Sequence, residues 1–448
     1  FETIPEGKTS KCALAFTTCH TPNGTLKNQP DAWTFIRHYI ENETEFPLLS
    51  VLHSDDIHYA DGFFGGNALW ESADGKIFET SNNNGGGRPA YDFALTYASW
   101  FGIVSTFYDP DAPVIPGVTP AGVCNAGQSE DFQFCLANTT FMPQWGDHEF
   151  QNNIGWRGGP VMTATPNGYH ATLNGFDGVG LITYNDVMKP LQGRPLSDKI
   201  TLRDTVANNW FQDFGPFRYI ALDPITNAVA DVDPNLVVVF GNNQIDDALE
   251  LATVDNQWWT CISNPAVAGR GTPSYEGVSG YRYKDENHST PEYNRMWLNP
   301  SQNPPSLMDN PKTNGTIGIS WMNRGDFHEP VNLYWKAPAG GGLLAESFLE
   351  VGLATMNTSS GTSQNLDGDL SLFEVDNVEL LGSIKQNNFQ GKPSRYTVTI
   401  VEIDGTKDTP EAVLKQWDIE YNNFWKSDES VHFLTDDTER VTDKNGNV

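Results

Sequence analysis

The sequence predicts a layered α/β fold. Short apolar runs alternate with segments of helical spacing over the first third of the chain, and each apolar run stops at a cluster of polar, metal-seeking side chains. The C-terminal part reads as successive strands. In such folds ligands gather beyond the carboxyl ends of the strands, so the polar clusters are the places to look for chemistry.

Residues 11–19, KCALAFTTC, read as a short buried strand, and residues 30–42, PDAWTFIRHYIEN, have helical spacing after a proline start. FPLLSVLHS (46–54) is a second buried strand that runs straight into DDIHYADGFFG (55–65). Residues 88–108, RPAYDFALTYASWFGIVSTFY, predict another helix. TTFMPQW (139–145) is a third apolar run, ending at GDHEFQNN (146–153). Residues 160–310 are rich in Asn, Pro and Gly, with IDDALELATVDNQWWTCI (245–262) the clearest helical segment. NGTIGISWMNRGDFHEP (314–330) is a strand ending in another polar cluster. After a Gly/Ser/Asn-rich loop at 355–370, residues 371–424 read as β, and 436–448 as a charged, frayed tail. No repeat or linker divides residues 1–435, which are expected to form one domain.

With 448 residues, 38% of them hydrophobic and 12% aromatic, the chain can bury a sizeable core. It carries 27 Lys and Arg against 57 Asp and Glu, a formal charge of −30, which argues against a nucleic-acid-binding surface and against anionic membranes. An anionic substrate would need local positive charge against that background, and bound cations supply it. No stretch approaches the roughly 20 apolar residues of a membrane span. The chain opens abruptly at Phe1 in a polar segment, as after removal of a signal peptide, so a secreted or cell-surface location is expected. Six Asn-x-Ser/Thr sequons, at Asn23, Asn42, Asn138, Asn287, Asn314 and Asn357, fit a glycoprotein. Of five cysteines, Cys124 and Cys135 flank the loop-like CNAGQSEDFQFC and are expected to form a disulfide, and Cys12 is a candidate partner for Cys261. Cys19 is then left over.

Four clusters stand at four strand ends: Cys19; Asp56 with Tyr59; Asp147 with His148; and Asp326 with His328. Carboxylates bridge pairs of cations, imidazoles suit borderline metals, and anionic thiolate or phenolate suits an oxidised iron. Taken singly, each has an ordinary reading: an exposed polar pair, a core tyrosine, or a buried cysteine acting as a small hydrophobe. Their order along the chain makes them a set.

In that order the motifs resemble the calcineurin-like metallophosphoesterases. Asp56-Ile-His-Tyr59 is similar to their G-D-x-x-Y, Gly146-Asp-His-Glu149 to G-N-H-E, and Gly325-Asp-Phe-His328 to the late G-[HD]-x-H. The cysteine in FTTC, the WGDHEFQNN segment, NGFDGVG (174–180) and VDNQWWTCI resemble the PhoD-like alkaline phosphatases and phosphodiesterases, the last as their Q-x-x-W helix. The resemblance implies a four-layer sandwich of two mixed β-sheets flanked by helices, with the β-rich end closing the second sheet. It implies a hydrolase of small phosphate esters, mono- or diesters, that uses a metal-activated water. Cys19, Asp56, Tyr59 and His328 would hold Fe3+. Asp56 would bridge to Ca2+, with Asp147 and Asp326 as its hard oxygen ligands. His148 would serve the leaving oxygen, with Tyr59 counted beside it in the catalytic set. Asn153 and Arg157 are candidate phosphate contacts, and His20, His53 and His58 are expected to shape hydrogen bonding. Two disulfides and one thiolate would account for all five cysteines.

The chain departs from the pattern at Asp55, where a glycine is usual, and at VVVFGNNQ (237–244), where the family's D-x-R-Q-like strand is expected and no arginine stands. These departures motivate an alternative: a surface or matrix glycoprotein keeping the fold with reduced or no turnover. A purple acid phosphatase relative is disfavoured by Asp326, where that family has histidine, and by Cys19.

Overall fold

The computed structural model describes residues 8–20, 32–54, 68–71, 77–80, 130–144, 191–195, 209–223, 242–254, 256–265, 307, 318–325, 331–336, 347–353, 356, 379–385, 397–408, 410–420, 423–434 and 440–442. Two mixed sheets face each other. The first contains β1 (Lys11–Thr17), β2 (Leu48–Ser54), β5 (Thr140–Gln144), β14 (Thr397–Asp404), β15 (Glu411–Glu420), β16 (Asn423–Leu434) and β17 (Arg440–Thr442), in the order β17-β16-β15-β14-β1-β2-β5. The second contains β6 (Arg194–Pro195), β7 (Trp210–Phe214), β8 (Phe217–Ala221), β9 (Trp259–Pro265), β10 (Trp321–Gly325), β11 (Val331–Lys336), β12 (Ser347–Gly352) and β13 (Glu379–Lys385), in the order β13-β11-β12-β10-β9-β8-β7-β6. A separate hairpin pairs β3 (Ala68–Glu71) with β4 (Ile77–Thr80).

Helices cover both outer faces. α1 (Ala32–Asn42) and α2 (Glu130–Asn138) lie on the first sheet, α1 through Tyr39 to Glu402 (3.3 Å) and Phe35 against Trp417 (5.2 Å), α2 through Phe132 against Phe141 (6.3 Å). Ala13 and Ala15 are small on this side of β1 and leave room for the helices, while Cys12, Leu14 and Phe16 point the other way into the core. α3 (Asn242–Thr253) covers the second sheet, held by Arg218, whose guanidinium donates to the Leu251 carbonyl (2.7 Å) and to both oxygens of Asp213 (2.6 and 2.9 Å). The result is the expected four-layer sandwich.

Between the sheets lies an aromatic slab. Phe16 of β1 meets three rings from the other sheet, Phe217 (6.2 Å), Tyr219 (6.1 Å) and Trp321 (6.3 Å), and Trp210 packs on Tyr219 at 5.2 Å. Ring pairs at these separations add to the area they bury. Gly215, with φ of 59°, makes the tight β7–β8 turn ahead of Pro216, the place where a two-residue hairpin loop favours glycine.

Several expectations are corrected. The closing strands β14–β17 belong to the first sheet, not the second, because β14 pairs antiparallel with β1 over Lys11–Phe16; only β13 joins the second. Within the segment read as a frayed tail, Arg440–Thr442 pairs with β16. The supposed disulfide loop contains α2, since EDFQFCLAN turns Phe132 and Cys135 inward at helical spacing. The WWTCI part of the helical reading is strand β9: α3 ends at Thr253, and a short turn separates it from Trp259. The predicted helix at 88–108 lies outside the described residues.

The β1–β14 seam carries a pH expectation. Lys11 lies opposite Asp404 in register and reaches it at 3.1 Å. Burial raises the Asp404 carboxyl, but the Thr406 hydroxyl and N–H and the Lys11 ammonium together outweigh it and hold Asp404 below the usual aspartate range. A depressed folded value means that this stabilisation is complete above the unfolded aspartate value of about 3.9 and is lost as pH falls through the folded one. Asp404→Asn is therefore expected to cost about 1.5 kcal/mol at neutral pH, the scale of hydrogen bonds to a charged group. In denaturant titrations the gap to the parent should close progressively as pH falls below about 4.

Candidate metal centre

Parallel pairing decides where the strand ends go. β1, β2 and β5 are parallel neighbours, with Thr17, His53 and Pro143 in one row and Ser54 opposite Gln144 in the next. In the second sheet β8, β9, β10 and β12 are parallel, with Gly325 opposite Pro265 and Arg324 opposite Gly352. The two carboxyl edges lie side by side: Gln144 at the end of β5 donates its side-chain N–H to the carbonyl of Leu222, just beyond β8. Met356, four residues beyond β12, donates its N–H to the Cys19 carbonyl at 3.3 Å and accepts from the Ala32 N–H at 3.1 Å.

From this edge the chain proceeds to the candidate residues. Cys19 stands two residues beyond β1, Asp56 two beyond β2, Asp147 three beyond β5, and Asp326 follows β10 directly. Of these only Cys19 is described. Asp56, Tyr59, Asp147, His148, Asn153, Arg157, Asp326 and His328 lie outside the described residues, and among the described ones no three His, Cys, Asp or Glu side chains form a metal cage.

Cys19 is unusual in its backbone. It is fully buried, with φ of 54°, in the left-handed region that a residue with a Cβ enters at a cost of about 1–2 kcal/mol. Such strain collects at functional sites. Its sulfur lies 3.1 Å from the Thr18 hydroxyl. Two histidines lie close by on the helix-covered side: His53 exchanges a hydrogen bond with Thr17 (2.8 Å), and His20 packs on Phe132 (4.8 Å) and edge-on to Trp33 (5.6 Å). Both are buried, as expected of residues that shape the surroundings.

One residue at the edge went unread in the sequence. β8, FRYIA, leads through Leu222 to Asp223, which is fully buried and held by Gln244 of α3: the Asp223 N–H donates to Gln244 Oε1 (2.6 Å), and the Gln244 side-chain N–H donates to the Asp223 carbonyl (3.1 Å). Of the segment 237–244 only residues 242–244 are described, and they open α3. An apolar run that ends in an acid at this edge is β8. The same rule that found Asp56 and Asp326 would have found Asp223.

The expected disulfides are absent at the described cysteines. Cys12, Cys135 and Cys261 are free, buried thiols: Cys12 and Cys261 both pack in the intersheet core, and the Cys135 sulfhydryl donates to the Trp33 carbonyl at 3.6 Å. Burial pushes the Cys12 thiol up to about 12 and raises Cys261 well above its ordinary value. Both should therefore resist iodoacetamide near pH 8 in the folded protein and label at once in denaturant. Protection that persists in denaturant until a reductant is added would restore the bridges.

No protein-family model matches the chain, and no curated protein matches its sequence. Solved structures do match. The structure described as PhoD superposes on 98% of this chain and 73% of its own, with a TM-score of 0.54 at 10% identity. The fold is that of a metallophosphoesterase. A purple acid phosphatase from yellow lupin (Lupinus luteus) seeds is also similar, over 94% of this chain and 55% of its own, with a TM-score of 0.45 at 11% identity. A shared fold does not fix function, so what the candidate residues do is a question of their own chemistry.

Proposed function

We propose that the protein is a metal-dependent hydrolase of small phosphate esters. The observation that supports this most is the shared carboxyl edge of β1, β2, β5 and β10, with a strained, buried Cys19 at its start and acids following each of the other three strands. The donor set fits two kinds of cation: thiolate, phenolate, imidazole and carboxylate from Cys19, Tyr59, His328 and Asp56 for Fe3+, and the oxygens of Asp56, Asp147 and Asp326 for Ca2+. Asp223, buried at the same edge, joins the oxygen donors. When bound, such cations neutralise phosphoryl oxygens and activate water.

The remaining work falls to the chain. Asn153 and Arg157 bind and orient the phosphoryl oxygens, and His148 donates a proton to the leaving oxygen. The Thr18 hydroxyl lies 3.1 Å from the Cys19 sulfur, within reach to donate to a metal-bound thiolate. An extracellular location is proposed on the exposed sequons Asn42 and Asn138, each at a helix end; a mass loss on deglycosylation of the native protein tests it.

Metal analysis with a visible spectrum is the deciding experiment. About one iron per chain with calcium is expected, along with a broad visible band that disappears in Tyr59→Phe. Hydrolysis of p-nitrophenyl phosphate or its bis-ester should fall about 10²-fold or more in His148→Ala. A folded protein that is colourless and free of iron and calcium would overturn the ferric assignment and favour a scaffold that keeps the fold without turnover.

A further inference from the structure

The intersheet core changes character one pleat before the strands end. Leu52, Met142, Tyr219, Cys261 and Trp321 face inward in its aromatic middle. The next inward positions are Ser54, Gln144, Ser263 and Asn323, all buried. They are contiguous: Ser54 lies opposite Gln144 in the first sheet, and Asn323 opposite Ser263 in the second. Tyr219 joins the halves, since its hydroxyl lies near those of Ser263 on its own sheet and Ser54 on the facing one, the latter donating to the Thr17 carbonyl at 3.4 Å.

Among the described residues, four atoms of this layer find no well-formed hydrogen bond: Tyr219 Oη, Ser263 Oγ, Asn323 Nδ2 and Gln144 Oε1. The two amides are oriented by their other ends. Trp321 donates its indole N–H to Asn323 Oδ1 (3.2 Å), and Gln144 spends its N–H on the Leu222 carbonyl. Asn323 thus turns a donor, and Gln144 an acceptor, toward the layer. Leaving four such atoms dry costs about 4–12 kcal/mol, comparable to the whole stability of a typical fold. An apolar filler satisfies none of them, and an ion of one sign satisfies only part of a mixed donor and acceptor set. Water satisfies all four.

We propose that this layer is a buried water site, with the Tyr219 hydroxyl at its centre, and that it fixes the ends of β2, β5, β9 and β10 relative to one another. Each of β2, β5 and β10 leaves the layer within three residues of a candidate ligand: Ser54 before Asp56, Gln144 before Asp147, Asn323 before Asp326. Tyr219 is thereby a positioning residue, and the waters hold the two sheets at the spacing the strand ends share. The water site itself does not depend on the phosphoesterase reading.

The test uses the intact protein and its Tyr219→Phe variant. A high-resolution crystal structure of the parent is expected to show ordered water within hydrogen-bond distance of Tyr219 Oη and at least two of the other three atoms. Native-state amide exchange in Tyr219→Phe should quicken about 10-fold in peptides that end β2, β5 and β10, with β14 and β15 unchanged. Thermal midpoints give the sign. Loss of a hydrated hydroxyl lowers Tm by about 1–2 °C in a chain of this size, whereas loss of a dry, unbonded one raises it. Empty density, a loop side chain filling the layer, a raised Tm, or exchange quickened uniformly across both sheets would each overturn the proposal. Absence of bound metal in the parent would overturn the proposed hydrolase and leave these readouts intact.

Discussion

Cys19→Gly is expected to lose phosphate ester hydrolysis by at least about 10²-fold while leaving the metal-free protein within about 1 kcal/mol of its parent stability. Two changes oppose each other. Glycine relieves the left-handed backbone at φ of 54°, a gain of about 1–2 kcal/mol, and gives up the burial of a small side chain that is 0% exposed, a loss of about 1 kcal/mol. Cys19→Ser keeps the strain and the volume but replaces a thiolate donor by a neutral hydroxyl, so it should lose the function without recovering stability. Denaturant midpoints, iron content and ester hydrolysis, measured on the same preparations, separate these effects. A Cys19→Gly protein that keeps its iron and its turnover would remove the sulfur from the candidate site. One that is several kcal/mol less stable would show that the cysteine holds the edge together through packing.

Phe16→Ala should give the largest loss of stability, about 4 kcal/mol, because it empties the centre of the aromatic slab. The ring is 1% exposed and meets Phe217, Tyr219 and Trp321, all from the facing sheet. The backbone of β1 is held on both sides by β14 and β2 and cannot collapse into the space, which favours a full cavity penalty. Phe16→Leu, which refills most of the volume, should cost about 1.5 kcal/mol. Denaturant unfolding checks both, and a penalty under about 2 kcal/mol for the alanine variant would mean that the two sheets close over the gap.

What the sequence disclosed and what it concealed divide along physical lines. β1, β2 and β5 were legible because each is largely buried on both faces and so carries a mainly apolar run that stops at polar residues. β10 was legible because Ile319, Trp321 and Met322 lead into Asn323 and Arg324. α1 was legible from its proline start and spacing. β9 was misread because QWWTCI continues the apolar pattern of α3 without a proline or glycine to mark the turn. Nothing local states that β14 pairs with β1, since that contact joins residues almost the whole chain apart. The cysteines misled for a related reason. Spacing in the sequence cannot tell that Cys135 is carried inward on a helix to meet Trp33, or that Cys12 and Cys261 serve as small apolar side chains. At the candidate site the alternation of strand and acid singles out Asp56, Asp147 and Asp326, which lie outside the described residues. It missed Asp223, whose strand carries the charged pair-former Arg218 at its second position and so looked less like a core strand.

The pairing of β1 with β14 also governs how the protein is made. On a ribosome β1 emerges several hundred residues ahead of the strand that covers one of its edges, Thr397–Asp404, with β15–β17 later still. Until then that edge exposes a row of unpaired backbone groups flanked by Cys12, Leu14 and Phe16, a template for any passing strand. The first sheet cannot close until β14 has been synthesised, and a pairing of such long sequence separation is expected to form slowly. A chain truncated before β14 would leave β1 without its antiparallel partner and aggregate through that strand.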